Sequence, residues 1–227
     1  MELDLRFFEI YRNPEYLLLL GKGALLSAGL TVLAALFGLI LAFLLAAVRF
    51  GRVPVLEWVA AAYVEFVRNT PLIVQLFFIA FGLPMLLGYE WPFWAHALLS
   101  LSINFSGYFA EILRAGLEGS DKGQREAARA LGLKPPVTFF LVITPVAVAS
   151  MFASLNSQFI FLFLTTGIIS EIGVADLTQA GLYIDSRTFR TFEVFLVLTG
   201  LYILTSMLFK TALAVIERWL FPWKFVR

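Results

Sequence analysis

The sequence has no cysteine and one histidine, and charged residues make up only 15% of its 227 positions. Without cysteine there is no disulfide, no thiol nucleophile and no cysteine-ligated metal. With His96 alone there is no set of metal ligands and no nucleophile paired with its base, so a membrane-embedded enzyme has no constellation to rest on. The glycine-lysine loop that cradles nucleotide phosphates is missing, and the chain is expected to be no enzyme and to hold no cofactor. A net charge of +1 leaves no footprint for nucleic acid. Internal repeats and low-complexity linkers are also lacking, which indicates a single domain over residues 1–227 and speaks against a self-contained secondary transporter built from inverted repeats.

What the chain has is apolar length. Residues 23–48, 69–89, 91–110 and 135–170 carry no charge, and 194–216 contains only Lys210. Each run can cross the ~30 Å apolar core of a bilayer, which takes about 20 helical residues. A straight helix over all of 135–170 would extend ~54 Å. Pro135, Pro136 and Pro145 predict an interfacial entry over about 135–144 and a span beginning at Pro145. The expected fold is an all-α polytopic membrane protein with five transmembrane helices, at about 23–48, 70–89, 91–114, 145–165 and 193–216. Glu2, Asp4, Glu9 and Glu15 precede a first run too long for a cleaved signal peptide, so the first span is expected to stay.

Charge sets the orientation. Arg6, Arg12, Lys22, Arg187 and Arg190 fall on one side of the proposed spans, and the other Lys and Arg residues of the 17 fall on the opposite side. Lys and Arg accumulate on the cytoplasmic side, which puts the N-terminus outside and the C-terminus in the cytosol. The segment 53–67 has charge at both ends and is expected to approach the membrane from the cytoplasmic interface. Asn69 or Thr70 can then cap the next helix, with Pro71 in its first turn.

The largest cytoplasmic loop holds EAARALGLKPP, residues 126–136. Asp121 followed by Gln124 fits the reciprocal capping pattern at a helix start. Gly132 supplies a left-handed stop, and the proline pair prevents continuation. A helix over about 121–132 with small Ala127 and Ala128 beside charged Glu126, Arg125 and Arg129 is a docking surface, or else an ordinary capped helix lying on the membrane.

The spacing of Glu126-Ala-Ala128, Gly132 and Val142-Ile-Thr-Pro145 resembles the EAA signature of ABC-importer permeases, with Val142 and Thr144 departing mildly from it. Arg68-Asn-Thr-Pro-Leu-Ile-Val-Gln-Leu-Phe-Phe-Ile-Ala-Phe-Gly-Leu-Pro84, Tyr108-Phe-Ala-Glu-Ile-Leu-Arg114, Lys122-Gly-Gln-Arg-Glu-Ala-Ala128 and Ile172-Gly-Val-Ala-Asp-Leu177 are similar to stretches of the polar-amino-acid branch of that family, the histidine, glutamine and arginine type. The resemblance covers about residues 20–220. It implies a type I importer permease in the bacterial inner membrane, carrying an amino acid. It also implies a second permease subunit, identical or paralogous, a cytosolic ABC ATPase dimer holding ATP and Mg, and an extracytoplasmic substrate-binding protein. Glu126, Ala127, Ala128 and Gly132 are then the ATPase-coupling residues.

A pathway wall can be read from helical stripes. His96, Ser100, Asn104, Gly107 and Glu111 share one face of the third span, and Ser150, Ser154, Ser157 and Thr165 one face of the fourth. Polar faces within spans point at the bundle interior or a wet cavity. The rival reading makes His96 a satisfied packing residue, the serines helix–helix cement, and Glu111 a partner of Arg114 at i,i+3. Where the family often has Lys-Asp-Thr, this chain has Phe163-Leu-Thr165. The candidate substrate pathway is therefore largely neutral: Asn104, Ser106, Ser154, Gln158 and Thr165, with Glu111 its one acid.

Overall fold

The computed structural model describes residues 5–119 and 122–225, and all regular structure among them is helical. A short α1, Phe8–Tyr11, leads into α2, Pro14–Phe50. Proline opens α2 where its missing N–H costs nothing, and Asn13 Oδ1 accepts the Glu15 N–H at 3.0 Å, which satisfies an orphan donor. The 37 residues of α2 extend ~55 Å, well beyond a bilayer core. Leu25, Val32, Leu36, Phe37, Ile40 and Leu44 lie exposed along it, as lipid contact requires.

Helix α3, Leu56–Arg68, is followed after a bend of 103° by α4, Leu72–Leu87. Asn69 and Thr70 do not cap α4, contrary to the expectation from sequence. Asn69 Nδ2 donates to the Glu65 carbonyl at 2.8 Å and Thr70 Oγ1 to that of Phe66 at 2.9 Å, so both close the end of α3, and Pro71 occupies the cap position of α4. Then come α5, Phe93–Glu118, α6, Lys122–Ala130, and α7, Pro135–Ile172. Last are α8, Leu177–Thr188, and α9, Thr191–Leu220.

Pro145 was expected to begin a span, yet α7 runs through it. The strain is taken up just upstream by a wide π turn over Thr138–Ile143. The same device precedes Pro84 in α4, where the π turn is Phe78–Gly82. Widening the turn moves the carbonyls that a proline ring would strike and leaves no N–H stranded. Among the described residues three helices, α2, α7 and α9, are long and apolar enough to cross a membrane, and the bent pair α3–α4 brings the number to four if it is one span.

By contacts the chain forms two units. One comprises the chain up to Ala34, Pro71–Ser102 and Ile160–Lys210. Its core joins Ile10, Leu20, Leu177, Ile184, Val194 and Leu198 from α1, α2, α8 and α9. Gly23 is needed there: a Cβ on it would stand 2.7 Å from the Asp176 carbonyl oxygen, so α2 and the start of α8 touch backbone to backbone. The other comprises Ala35–Thr70, Ile103–Phe159 and the chain from Thr211. In it the C-terminal segment is pinned by Phe221 packing edge-on to Phe152 at 5.4 Å and by Lys224 Nζ donating to the Ala149 carbonyl at 2.8 Å.

Candidate functional site

The loop helix α6 ends as its sequence requires. Gly132 has φ +71°, its N–H donates to the Arg129 carbonyl at 2.9 Å, and the Leu133 N–H donates to that of Ala128 at 3.0 Å, a complete Schellman stop. Lys134 is extended, as a residue before proline must be, and α7 starts at once. Helix α6 packs on the π-turn segment of α7. Ala128 is buried on that side, whereas Glu126, Ala127 and Arg129 are open and Leu131 is 77% exposed. The four residues expected to couple the chain to an ATPase thus divide: Glu126 and Ala127 are open, Ala128 is buried, and Gly132 ends the helix. Asp121, half of the expected capping pair, lies outside the described residues.

At the nearby end of α5, Glu111 gathers cations from three helices. Arg49 of α2 reaches its Oε2 at 3.1 Å, Arg68 of α3 lies at 4.0 Å from the same oxygen, and Arg114 of α5 grips Oε1. Arg114 also bonds Glu118, and the Arg68 guanidinium covers the Tyr108 ring at 5.7 Å. Gly107, read as part of a polar stripe, is a packing position: a Cβ there would meet Val67 at 3.1 Å.

The other pathway candidates fall into different surroundings. Asn104 and Ser106 are buried, and Ser106 Oγ sits 2.8 Å from the Tyr63 hydroxyl while donating to the Ile103 carbonyl. Ser154 is exposed, and Gln158 is half-buried with its amide nitrogen unpartnered among the described residues. Thr165 Oγ1 donates to the Phe161 carbonyl at 2.6 Å. On α7 the open positions Ser150, Ala153, Ser154 and Ser157 recur at helical spacing, a small and hydroxylated face unlike the leucine-rich one of α2. His96 is buried against the rings of Tyr89, Trp91 and Phe93, with centroids 5.8, 6.0 and 6.3 Å away.

Sequence reasoning missed Asp176. It is fully buried in the turn before α8, caps that helix by accepting the Gln179 N–H at 2.8 Å, and leaves Oδ2 without a partner among the described residues. Ser27 Oγ of α2 accepts the neighbouring Leu177 N–H at 3.2 Å. Burial pushes the Asp176 carboxyl up to about 6. Its signal was available: Asp176 and Gln179 repeat the Asp-x-x-Gln spacing noted at 121–124.

Residues 34–222 match the family described as the binding-protein-dependent transport system inner membrane component. The chain belongs to this family. It is a multi-pass permease subunit of the inner membrane and not an enzyme, ATP hydrolysis lying on partner subunits. Over 190 residues it is 33% identical to the arginine transport system permease protein ArtQ of Bacillus subtilis, covering 82% of this chain and 86% of that one. It is 32% identical over 193 residues to the L-cystine transport system permease protein TcyL of the same organism, covering 82% and 80%. Its fold matches a chain from a crystal structure of an amino acid ABC transporter with histidines, with TM-score 0.84, 34% identity, and 95% of this permease and 99% of that chain covered. The MetNI methionine transporter, inward facing, shares the fold at TM-score 0.78 and 19% identity, over 92% of this chain and 99% of that one.

Proposed function

We propose that this permease forms part of the path of an ATP-driven amino-acid importer, with five spans, its N-terminus outside and its C-terminus in the cytosol, and that cytosolic ATPases drive it through α6. The open face of α6 carries this reading. Glu126, Ala127 and Arg129 are open along α6 and Leu131 is largely uncovered just past its last residue, on a helix fixed at one end by a Schellman stop: a rigid element that offers an apolar side chain at its end and charged ones along its length. The ATPase dimer would hold ATP and Mg, a second permease, identical or paralogous, would complete the path, and an extracytoplasmic binding protein would deliver the substrate. The relatives named for arginine and cystine transport support an amino-acid cargo.

The passage itself is mostly neutral in this reading. The hydroxylated face of α7 bearing Ser154, with Gln158 beside it, supplies partners for the ammonium and carboxylate that every amino acid brings. Asn104 and Ser106 shape the wall from packed positions and Thr165 from a half-buried one, and Glu111, already held by three arginines, acts as a tether between helices. Two measurements test the proposal. Glu126→Lys and Leu131→Glu should each reduce ATPase copurification with the folded permease, and unchanged copurification in both would refute the docking. Asn104→Ala with Gln158→Ala should lower uptake while assembly persists, and full uptake would remove these two from the path.

A further inference from the structure

Between α2 and α9 the first unit has a groove of about 550 Å³, walled by Leu17, Leu20 and Gly21 on one side and by Gly200 and Leu204 on the other, with Tyr11 at its head. That volume is several times the ~150 Å³ of a dry cavity that holds benzene and lies within the ~300–1,000 Å³ of small-ligand sites. Its floor is shared with the core residue Leu20, so the space is fixed by packing. The walls stay open sideways, Leu17 and Leu204 being 45% and 56% exposed.

Two glycines make the groove. A Cβ on Gly21 or Gly200 would meet nothing within 4 Å, and neither has a positive φ. Each therefore weakens its helix relative to alanine without serving a close approach or a turn. The vacant width itself is what they supply.

We infer that this groove seats an acyl chain of a bilayer phospholipid from the leaflet on the N-terminal side. The lining is hydrocarbon and aromatic along helices long and apolar enough to lie in the membrane, so neither water nor a polar ligand would find partners in it. Tyr11 suits the headgroup level, where amphipathic rings collect. Arg12 follows it in the chain, exposed in a second cleft that it lines with Glu9 and Arg187, and supplies a cation for the lipid phosphate at that level. A helix of a second permease is the competing occupant.

The purified transporter would be placed in vesicles of phosphatidylethanolamine and phosphatidylglycerol, with a phosphatidylglycerol bearing a photoreactive diazirine in its acyl chain. Crosslinks should concentrate on peptides 17–24 and 196–204. Gly21→Leu with Gly200→Leu should cut them about tenfold, equivalent to ~1.4 kcal/mol, while labelling near Leu36 and Ile40 stays constant. Thermal unfolding of the double variant checks that it folds, and Gly21→Leu alone, an exposed change toward a better helix former, gives a partial loss if it does not. Arg12→Gln should weaken labelling by the phospholipid and leave that by a diazirine fatty alcohol unchanged. Even labelling of all exposed helices, constant labelling in the filled variants, or a second permease's peptides crosslinked into the groove would each overturn the inference.

Discussion

Asp176 and Glu111 are both acids in an apolar chain, and their surroundings give them opposite sensitivities. Asp176 has no ion-pair partner among the described residues, and burial raises its carboxyl from 3.8 to about 6. A raised acid lends the fold stability that is complete below the unfolded value and is lost as pH climbs through the folded one. The cost of ionising it near pH 7 is on the order of 2–3 kcal/mol, from a shift of roughly two units at ~1.36 kcal/mol each. Asp176→Asn keeps a capping oxygen and removes the charge. Thermal melts in detergent should show this variant more stable than the parent at pH 7 and with a flatter profile between about pH 4 and 6, and parallel profiles would count against an uncompensated buried carboxylate. Glu111→Gln should instead lower stability, by ~1–2 kcal/mol, because the cluster is part-exposed and lies between the surface and buried limits for ion pairs. The ranking of transported amino acids should stay as it is, whereas a change of ranking would return Glu111 to the pathway.

Helix packing separates two glycines that the sequence makes look alike. At Gly23 an added methyl would press on the Asp176 backbone at 2.7 Å, while at Gly21 it would enter open space. Gly23→Ala should therefore destabilise, by ~1–3 kcal/mol as overpacking does, and Gly21→Ala should stabilise by ~0.5–1 kcal/mol. Equal effects in unfolding experiments would show that the seat of α8 on α2 is looser than described. The sequence could not have told them apart, since spacing reveals a face and not what covers it. That limit recurs along α5 and α7. Their polar stripes were legible, but Asn104 and Ser106 turn out packed and Ser154 open, and hydropathy is silent on which neighbour arrives. The stop at Gly132 was legible because a left-handed residue has few alternatives. Continuity through Pro145 was not, because a π turn leaves no mark in apolar periodicity.

For the molecule as a whole, apolar length and the loop motif made the helical permease class readable, while the arrangement of the helices depended on contacts between distant segments. Orientation can be checked directly because no native cysteine interferes. An impermeant thiol reagent on intact spheroplasts should label Ser186→Cys, at an exposed site in α8, and spare Leu131→Cys beyond α6, and the reverse would invert the topology. The backbone contact of Gly23 with Asp176 has a further consequence, which concerns synthesis rather than transport. Ser27 meets the Leu177 N–H across 150 residues, and Arg190 reaches back 181 residues to Glu9. At the usual ~5–20 residues per second, the 150 residues from Ser27 to Leu177 take roughly 8–30 s, during which α2 waits for α8. Throughout that interval the notch at Gly23 and the Ser27 hydroxyl lack the partners they meet in the folded unit. Stalled chains ending before α8 should thus be cleared by membrane proteases far faster than chains ending after α9.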